Sequence, residues 1–139
     1  MHQLSKLTET FRNDLFSAND HLTTRAMLEL SKTDHLFWKW KVYNMLLGFE
    51  EIRPEEIRSH TECRLGQWYF LEETREQFGH LDNYRQINQP HEEVHRLARL
   101  AVEACQAGDM ETAAMHLADL EVASKQVIAC LDGMIRPLA

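Results

Sequence analysis

Apolar residues recur every three or four positions along most of the chain, which is the spacing of one face of an α-helix. The most regular run lies near the C-terminal end and alternates over four heptads, as in the seam of a helical bundle. Its members are Met110, Ala113, Leu117, Leu120, Ser124, Val127, Leu131, Met134 and Leu138. No stretch alternates with a period of two, so no β-strand is predicted. The pattern therefore predicts an all-α fold, an antiparallel four-helix bundle with short connections.

The first predicted helix runs from near Thr33 to Leu47 and ends at Gly48, a usual C-terminal stop. A second set of residues at helical spacing is expected to form its buried stripe: His35, Trp38, Val42, Met45 and Phe49. A polar stretch over residues 17–24 precedes this helix and is a possible break, with Asp20 or Thr23 as a cap. We therefore predict an N-terminal helical segment over residues 1–30 and the bundle over residues 31–139; whether this segment continues the first helix or forms a separate one is left open.

Three further helices follow. Ser59 or Thr61 is predicted to cap the second, which ends at Gly79. Pro90 lies either in the first turn of the third helix or at a kink within a longer one. The dipeptide Gly108-Asp109 is predicted to be a tight turn in which Gly ends the third helix and Asp caps the fourth.

Composition narrows the function classes. The chain of 139 residues is 44% hydrophobic and 27% charged, as in one soluble globular domain. Its net charge of −7 argues against binding nucleic acid through phosphates. No apolar run approaches a membrane span, so no membrane contact is expected, and three cysteines without a tight pairing pattern favour a reducing, cytoplasmic setting.

The strongest chemical signal is the segment Pro90-His91-Glu92-Glu93-Val94-His95. On a helix, His91 and His95 lie on one face a turn apart, so their imidazoles converge as half of a zinc site. His35, on the first helix, and Cys63, in the first turn of the second, are candidates for the remaining ligands. His60, one turn before Cys63, is the rival. Four protein ligands leave no open position for water, which favours a structural or sensory zinc site.

Three spaced blocks give the chain a resemblance to a known family. They are Asp34-His35-Leu36-Phe37-Trp38-Lys39, Cys63-Arg64-Leu65-Gly66-Gln67-Trp68-Tyr69 and the Pro90–His95 segment. The sequence resembles the CZB, or chemoreceptor zinc-binding, domain of bacterial chemoreceptors and diguanylate cyclases. The resemblance implies a four-helix bundle with Zn²⁺ bound by His35, Cys63, His91 and His95, a homodimer, and no enzymatic activity of its own.

The resemblance also implies a regulatory role in chemotaxis signalling. Residues 4–12 resemble the end of a chemoreceptor signalling helix, so the expected partners are the receptor's own signalling domain and, through it, chemotaxis proteins. The family responds to zinc and to oxidants such as hypochlorous acid, and a zinc-bound Cys63 thiolate stays nucleophilic toward a small oxidant. Zinc, oxidant or both remain open as the signal. Cys105 and Cys130 are predicted to be core residues.

The segment His91–His95 also matches HExxH, the motif of zinc peptidases in which Glu92 is the general base. Against this alternative, the residues that follow lack the Gly and third His of the longer signature, and no strand is predicted to hold a peptide substrate. A di-iron bundle is a third alternative, but it needs several inward carboxylates that Glu62 and Glu92 do not supply.

Overall fold

The computed structural model of the protein describes residues 20–138. It contains five α-helices in this part of the chain, which we number in order: α1 (Asp20–Leu46), α2 (Arg64–Tyr69), α3 (Glu72–Phe78), α4 (Asp82–Gln106) and α5 (Met110–Ile135). Two 3₁₀ turns, Pro54–Glu56 and Arg136–Leu138, complete the elements. Residues 20–138 include no strand, and the predicted all-α class is confirmed. Residues 1–19 of the predicted N-terminal segment lie outside the described residues.

The hairpin of α4 and α5 follows the sequence prediction closely. Gly108 has φ 76° and closes α4, because the amide of Asp109 donates to the carbonyl of Ala104. The Asp109 carboxylate then accepts from the amide of Thr112 and caps α5. The predicted seam of α5 is buried from Ala113 to Met134, whereas Met110, in the first turn, is exposed. The seam therefore packs within this chain.

Helix α1 begins before the predicted start near Thr33, and residues 20–30, whose relation to this helix the sequence left open, are part of it. It is helical from Asp20, and Thr24, Leu28 and Ser31 are as buried as Val42 further along the same face. Two of these buried residues, Thr24 and Ser31, are polar. The spacing of apolar residues alone therefore did not indicate a helix there. The predicted end at Gly48 is confirmed by its φ of 85°. Phe49, predicted to be buried, lies beyond the helix end and is 79% exposed.

The second predicted helix is two short helices. The backbone of Leu71 is extended (φ −67°, ψ 141°) and separates α2 from α3. Cys63 caps α2, so the prediction of Ser59 or Thr61 as the cap is wrong. The hydroxyl of Ser59 instead bonds the side chains of Thr61 and Glu62.

Aromatic side chains hold α2 against its neighbours. Trp68 packs edge-on against Phe78 of α3 with 5.4 Å between ring centroids, and Tyr69 stacks on Tyr84 of α4 at 4.3 Å. The Tyr84 hydroxyl also donates to the carbonyl of Tyr69 at 2.7 Å. These contacts fix the position of Cys63, which begins α2.

Pro90 lies inside α4, so the longer helix, rather than a helix that begins at Pro90, is the observed setting. Proline lacks the N–H that a helix interior needs and can kink the helix locally. Pro90 is nevertheless buried, one residue before His91. No helix among residues 20–138 combines the length and apolar character that crossing a membrane requires.

Candidate metal site

His91 and His95 lie on one face of α4, as their spacing predicts. Their ring centroids are 4.8 Å apart and the rings are nearly perpendicular, at 85°. His91 is 5% exposed, and Val94 beside it is also buried. The α-helix therefore brings two imidazoles to one point, where His91 is buried and His95 is partly buried.

Cys63 joins this pair from the other side of the site. Its Sγ lies 3.2 Å from Nε2 of His91. The donor atoms of Cys63, His91 and His95 all lie within 4.8 Å of one another. In a tetrahedral zinc site, neighbouring donor atoms are about 3.4 to 3.6 Å apart. The three donors therefore fit a zinc ion after small side-chain adjustments.

The protonation states of His91 and His95 also suit metal binding. Burial lowers the pKa of His91 to about 3, helped by the neighbouring charge of His95, so the imidazole is neutral near pH 7. Burial lowers the pKa of His95 as well. Nδ1 of His95 lies 2.7 Å from the carbonyl oxygen of Arg58, which can only accept, so Nδ1 carries the proton. Nε2 of His95 is left with a free lone pair, the arrangement usual for zinc-binding histidines.

Cys63 occupies an environment with two opposing effects. Burial raises the pKa of its thiol, while hydrogen bonds from the backbone amides at the start of α2 lower it less strongly. The Gly66 amide donates to Sγ at 3.4 Å, and the thiol donates to the His60 carbonyl at 3.6 Å. Without a cation, Cys63 is therefore a thiol at neutral pH. A bound zinc ion would favour the thiolate.

His35 lies apart from these three donors. It lines the same cavity of about 810 Å³ as Cys63, His91 and His95, but it is not within their cluster. Its Nε2 lies 2.7 Å from the hydroxyl of Ser124 on α5. Burial lowers the pKa of His35 to about 4, with a further contribution from the charge of Lys39.

Two other candidates lie outside the cluster. His60, the rival ligand, packs edge-on against His91 with 5.7 Å between ring centroids, and its donor atoms are not grouped with the other three. Glu92, the base of the alternative peptidase site, is exposed and does not line the cavity. Neither residue has the geometry that its proposed role needs.

Charged residues next to the ligands form ion pairs. Asp34, next to His35, pairs with Arg64 at 3.2 Å. Lys39 pairs with Glu121 at 2.9 Å. The contact of His95 with the Arg58 carbonyl could not be predicted, because a backbone group has no sequence signature. Ser124 was visible only as one polar residue in an apolar seam.

Residues 35–102 match the family model CZB, described as the chemoreceptor zinc-binding domain. This segment of the chain belongs to the CZB family. The match spans His35, Cys63, His91 and His95. No curated protein and no solved structure matches the chain.

The chain therefore carries a zinc-binding, chemoreceptor-associated domain. CZB domains are regulatory and generally not enzymes, and the three-donor cluster of Cys63, His91 and His95 agrees with a metal-binding role. Cys130 is buried as predicted, while Cys105 is only partly buried and packs against the core.

Proposed function

We propose that this protein is the zinc-binding regulatory domain of a bacterial chemotaxis receptor. Cys63, His91 and His95 hold the ion, and His35 completes the set as the fourth ligand in an antiparallel four-helix bundle. The observation that carries the proposal is the convergence of one sulfur and two neutral imidazoles within 4.8 Å in the segment that matches the CZB family. Thiolate and imidazole are the donors that zinc prefers.

The ligands come from separate parts of the chain, and this supports a regulatory role. His91 and His95 lie on α4, Cys63 begins α2, and His35 lies on α1. A metal that draws on three helices links their positions, so binding free energy is coupled to the arrangement of the helices. Gain or loss of the ion therefore changes how α1 and α2 are held against α4.

Cys63 gives the same site a response to oxidants. In reaction with hypochlorous acid, the thiolate sulfur takes the hydroxyl group and chloride leaves, so that sulfur is oxidised to sulfenic acid by two electrons and chlorine is reduced. A sulfenic acid is a poorer metal donor than a thiolate. The first turn of α2 then loses its attachment to α4, and this change is the signal passed to the receptor.

The proposal includes a homodimer and attachment to a receptor's signalling domain, in a cytoplasmic setting. The seam of α5 is occupied by this chain's own core, so a second copy needs another surface. Helix α1 and the turn directly after it offer one, because Leu30, Phe37, Trp40 and Leu47 follow heptad spacing and are 50–66% exposed. Phe37 and Trp40 stack on each other, with 6.2 Å between centroids. We call these four residues the α1 ridge and assign it to the dimer contact.

Zinc content of the purified protein tests the proposal. We expect about one zinc ion per chain by native mass spectrometry, a lower content in Cys63→Ser, and release of zinc from the wild type after a brief pulse of hypochlorous acid. Glu92→Gln is the matched control and should retain zinc, because Glu92 is exposed and outside the cavity. A full zinc content in Cys63→Ser, together with a zinc content of the wild type that the oxidant does not change, would show that Cys63 is not a zinc ligand. Peptide hydrolysis that is lost in Glu92→Gln would instead support the peptidase alternative.

A further inference from the structure

An ion pair between two helices lies at the mouth of the cavity that contains Cys63. The Asp34 carboxylate of α1 and the Arg64 guanidinium of α2 are 3.2 Å apart, and each side chain is 45% exposed. Both residues also line the cavity. A side chain that lines a cavity and is half exposed lies where the cavity opens to solvent. Since Arg64 directly follows Cys63 in the chain, this opening is close to the sulfur.

The pair neutralises the basic residue next to Cys63. An unpaired arginine beside a thiolate attracts anions and raises their local concentration. Here the Asp34 carboxylate offsets the guanidinium charge. The charge of Asp34 also acts on the sulfur, because burial is the main cause of the raised pKa of the Cys63 thiol and the negative charge of Asp34 adds to it. Two side chains, each of which can be changed alone, therefore set the charge on this side of the mouth.

The other charged side chains of the cavity wall leave a surplus of negative charge. Two lysines in the wall are neutralised by glutamates, since Lys39 pairs with Glu121 at 2.9 Å and Lys41 with Glu50 at 3.5 Å. The remaining charged residues of the wall are all exposed, and we call them the rim: Glu55, Glu56, Arg58 and Glu62. One positive and three negative side chains give the rim a net charge of −2. The rim therefore repels an approaching anion.

We propose that the Asp34–Arg64 pair and the rim restrict Cys63 to small, uncharged oxidants. This inference rests on the proposed function and specifies the class of oxidant, which is hypochlorous acid in its uncharged form rather than the hypochlorite anion. The thiolate sulfur takes the hydroxyl group of the acid and chloride leaves, so sulfur is oxidised by two electrons and chlorine is reduced. Asp34 determines the selectivity, because its loss would leave the Arg64 charge unpaired beside the sulfur.

Alkylation of Cys63 by iodoacetate and by iodoacetamide tests this selection by charge. The two reagents are similar in size, and with both of them the thiolate attacks carbon while iodide leaves, but only iodoacetate is an anion. The ratio of the iodoacetate to the iodoacetamide rate constant at Cys63, measured by mass spectrometry of its peptide, therefore reports charge rather than sulfur reactivity. We expect this ratio in the wild type to be roughly two- to five-fold lower than for an uncharged cysteine derivative in solution.

Two substitutions should move the ratio in opposite directions. Asp34→Asn leaves the Arg64 charge unpaired and should raise the ratio roughly two- to five-fold, whereas Arg64→Gln leaves the Asp34 charge and should lower it by a similar factor. Glu93→Gln and Arg96→Gln are the matched controls and should leave the ratio unchanged. They break an ion pair of similar exposure on α4 that does not line the cavity. Added salt should reduce the effects of both test substitutions, because it screens exposed charges.

A shift of the ratio in the same direction in Asp34→Asn and Arg64→Gln would overturn the inference, because access to Cys63 would then depend on the width of the mouth. Unchanged ratios in both variants would overturn it as well, as would a wild-type ratio equal to that of the cysteine derivative. These results leave the zinc site and its response to hypochlorous acid standing. A wild type that keeps its zinc after the pulse of hypochlorous acid would instead refute the oxidant response in the proposed function.

Discussion

Gly66, in the first turn of α2, is the position where the smallest change should damage the site most. A β-carbon at Gly66 would lie 1.9 Å from the carbonyl oxygen of His60 and 2.9 Å from the carbonyl carbon of Thr61. Ordinary contacts of a β-carbon begin at 3.4 Å. Gly66→Ala therefore requires α2 and the segment before it to separate by more than an ångström.

The segment that gives way should be the one that carries Cys63. Leu65 and Trp68 are 4% and 7% exposed and anchor α2 in the core, whereas the segment at His60 is only partly buried. The Gly66 amide and the His60 carbonyl both contact Sγ of Cys63, so a displacement between them moves the sulfur. Overpacking of this kind costs about 1–3 kcal/mol of unfolding free energy. Weakening of one of the four proposed ligands should also lower zinc affinity by at least about ten-fold.

Two measurements separate these effects: urea unfolding of the metal-free protein, and zinc affinity by competition with a chelator. Gly48→Ala is the control, since nothing lies within 4 Å of a β-carbon there and its positive φ alone makes the substitution unfavourable, by about 1 kcal/mol. We expect the control to lose stability without losing zinc affinity. Wild-type affinity in a destabilised Gly66→Ala would refute the reasoning, because α2 rather than the Cys63 segment would have moved.

The remaining predictions concern pH and assembly. In the metal-free protein, burial lowers the pKa values of His35 and His91 to about 4 and about 3. As the pH falls, these histidines therefore take up protons in the unfolded chain at a higher pH than in the folded protein. The free energy of unfolding is highest above about pH 6.5 and decreases below it. Between pH 7 and pH 5 we expect the free energy of unfolding, measured with urea, to decrease by about 4 kcal/mol in the wild type and by about half as much in His35→Asn. A free energy of unfolding that does not change with pH would contradict the burial of these rings. Trp40→Ser in the α1 ridge should raise the dimer dissociation constant about thirty-fold in sedimentation equilibrium, since truncation of a central aromatic residue can cost about 2 kcal/mol. Val122→Ser, at a similarly exposed residue of α5, should leave the dimer dissociation constant unchanged. Equal effects of the two substitutions would mean that the dimer contact does not lie on the α1 ridge.

Sequence patterns of a few neighbouring residues were sufficient to predict features whose geometry is set by the local backbone. The spacing of His91 and His95 fixes their convergence, because one helical turn separates them. The turn at Gly108-Asp109 needs only a residue that accepts positive φ followed by a capping side chain. Such features depend on a few neighbouring residues, and these predictions were confirmed.

Sequence patterns failed to predict features that depend on packing between residues far apart in the chain. The polar residues Thr24 and Ser31 are buried in α1 because other helices cover them, so the early start of this helix was not predicted. The break between α2 and α3 and the cap at Cys63 also went unpredicted, since aromatic contacts with α4 hold α2 in place. Cysteine is not among the usual capping residues.

The sequence by itself therefore determined the all-α class, the α4–α5 hairpin, the pair of histidines on α4 and the choice of Cys63 as a partner for them. Each follows from periodicity, from turn chemistry or from a pattern shared with a family. Only the tertiary structure decided that Cys63 caps a helix, that the Arg58 carbonyl fixes the tautomer of His95 and that His35 is bonded to Ser124. The contacts of His95 with Arg58 and of His35 with Ser124 join residues 37 and 89 positions apart, and the order of side chains along a chain does not record which of them meet across a core.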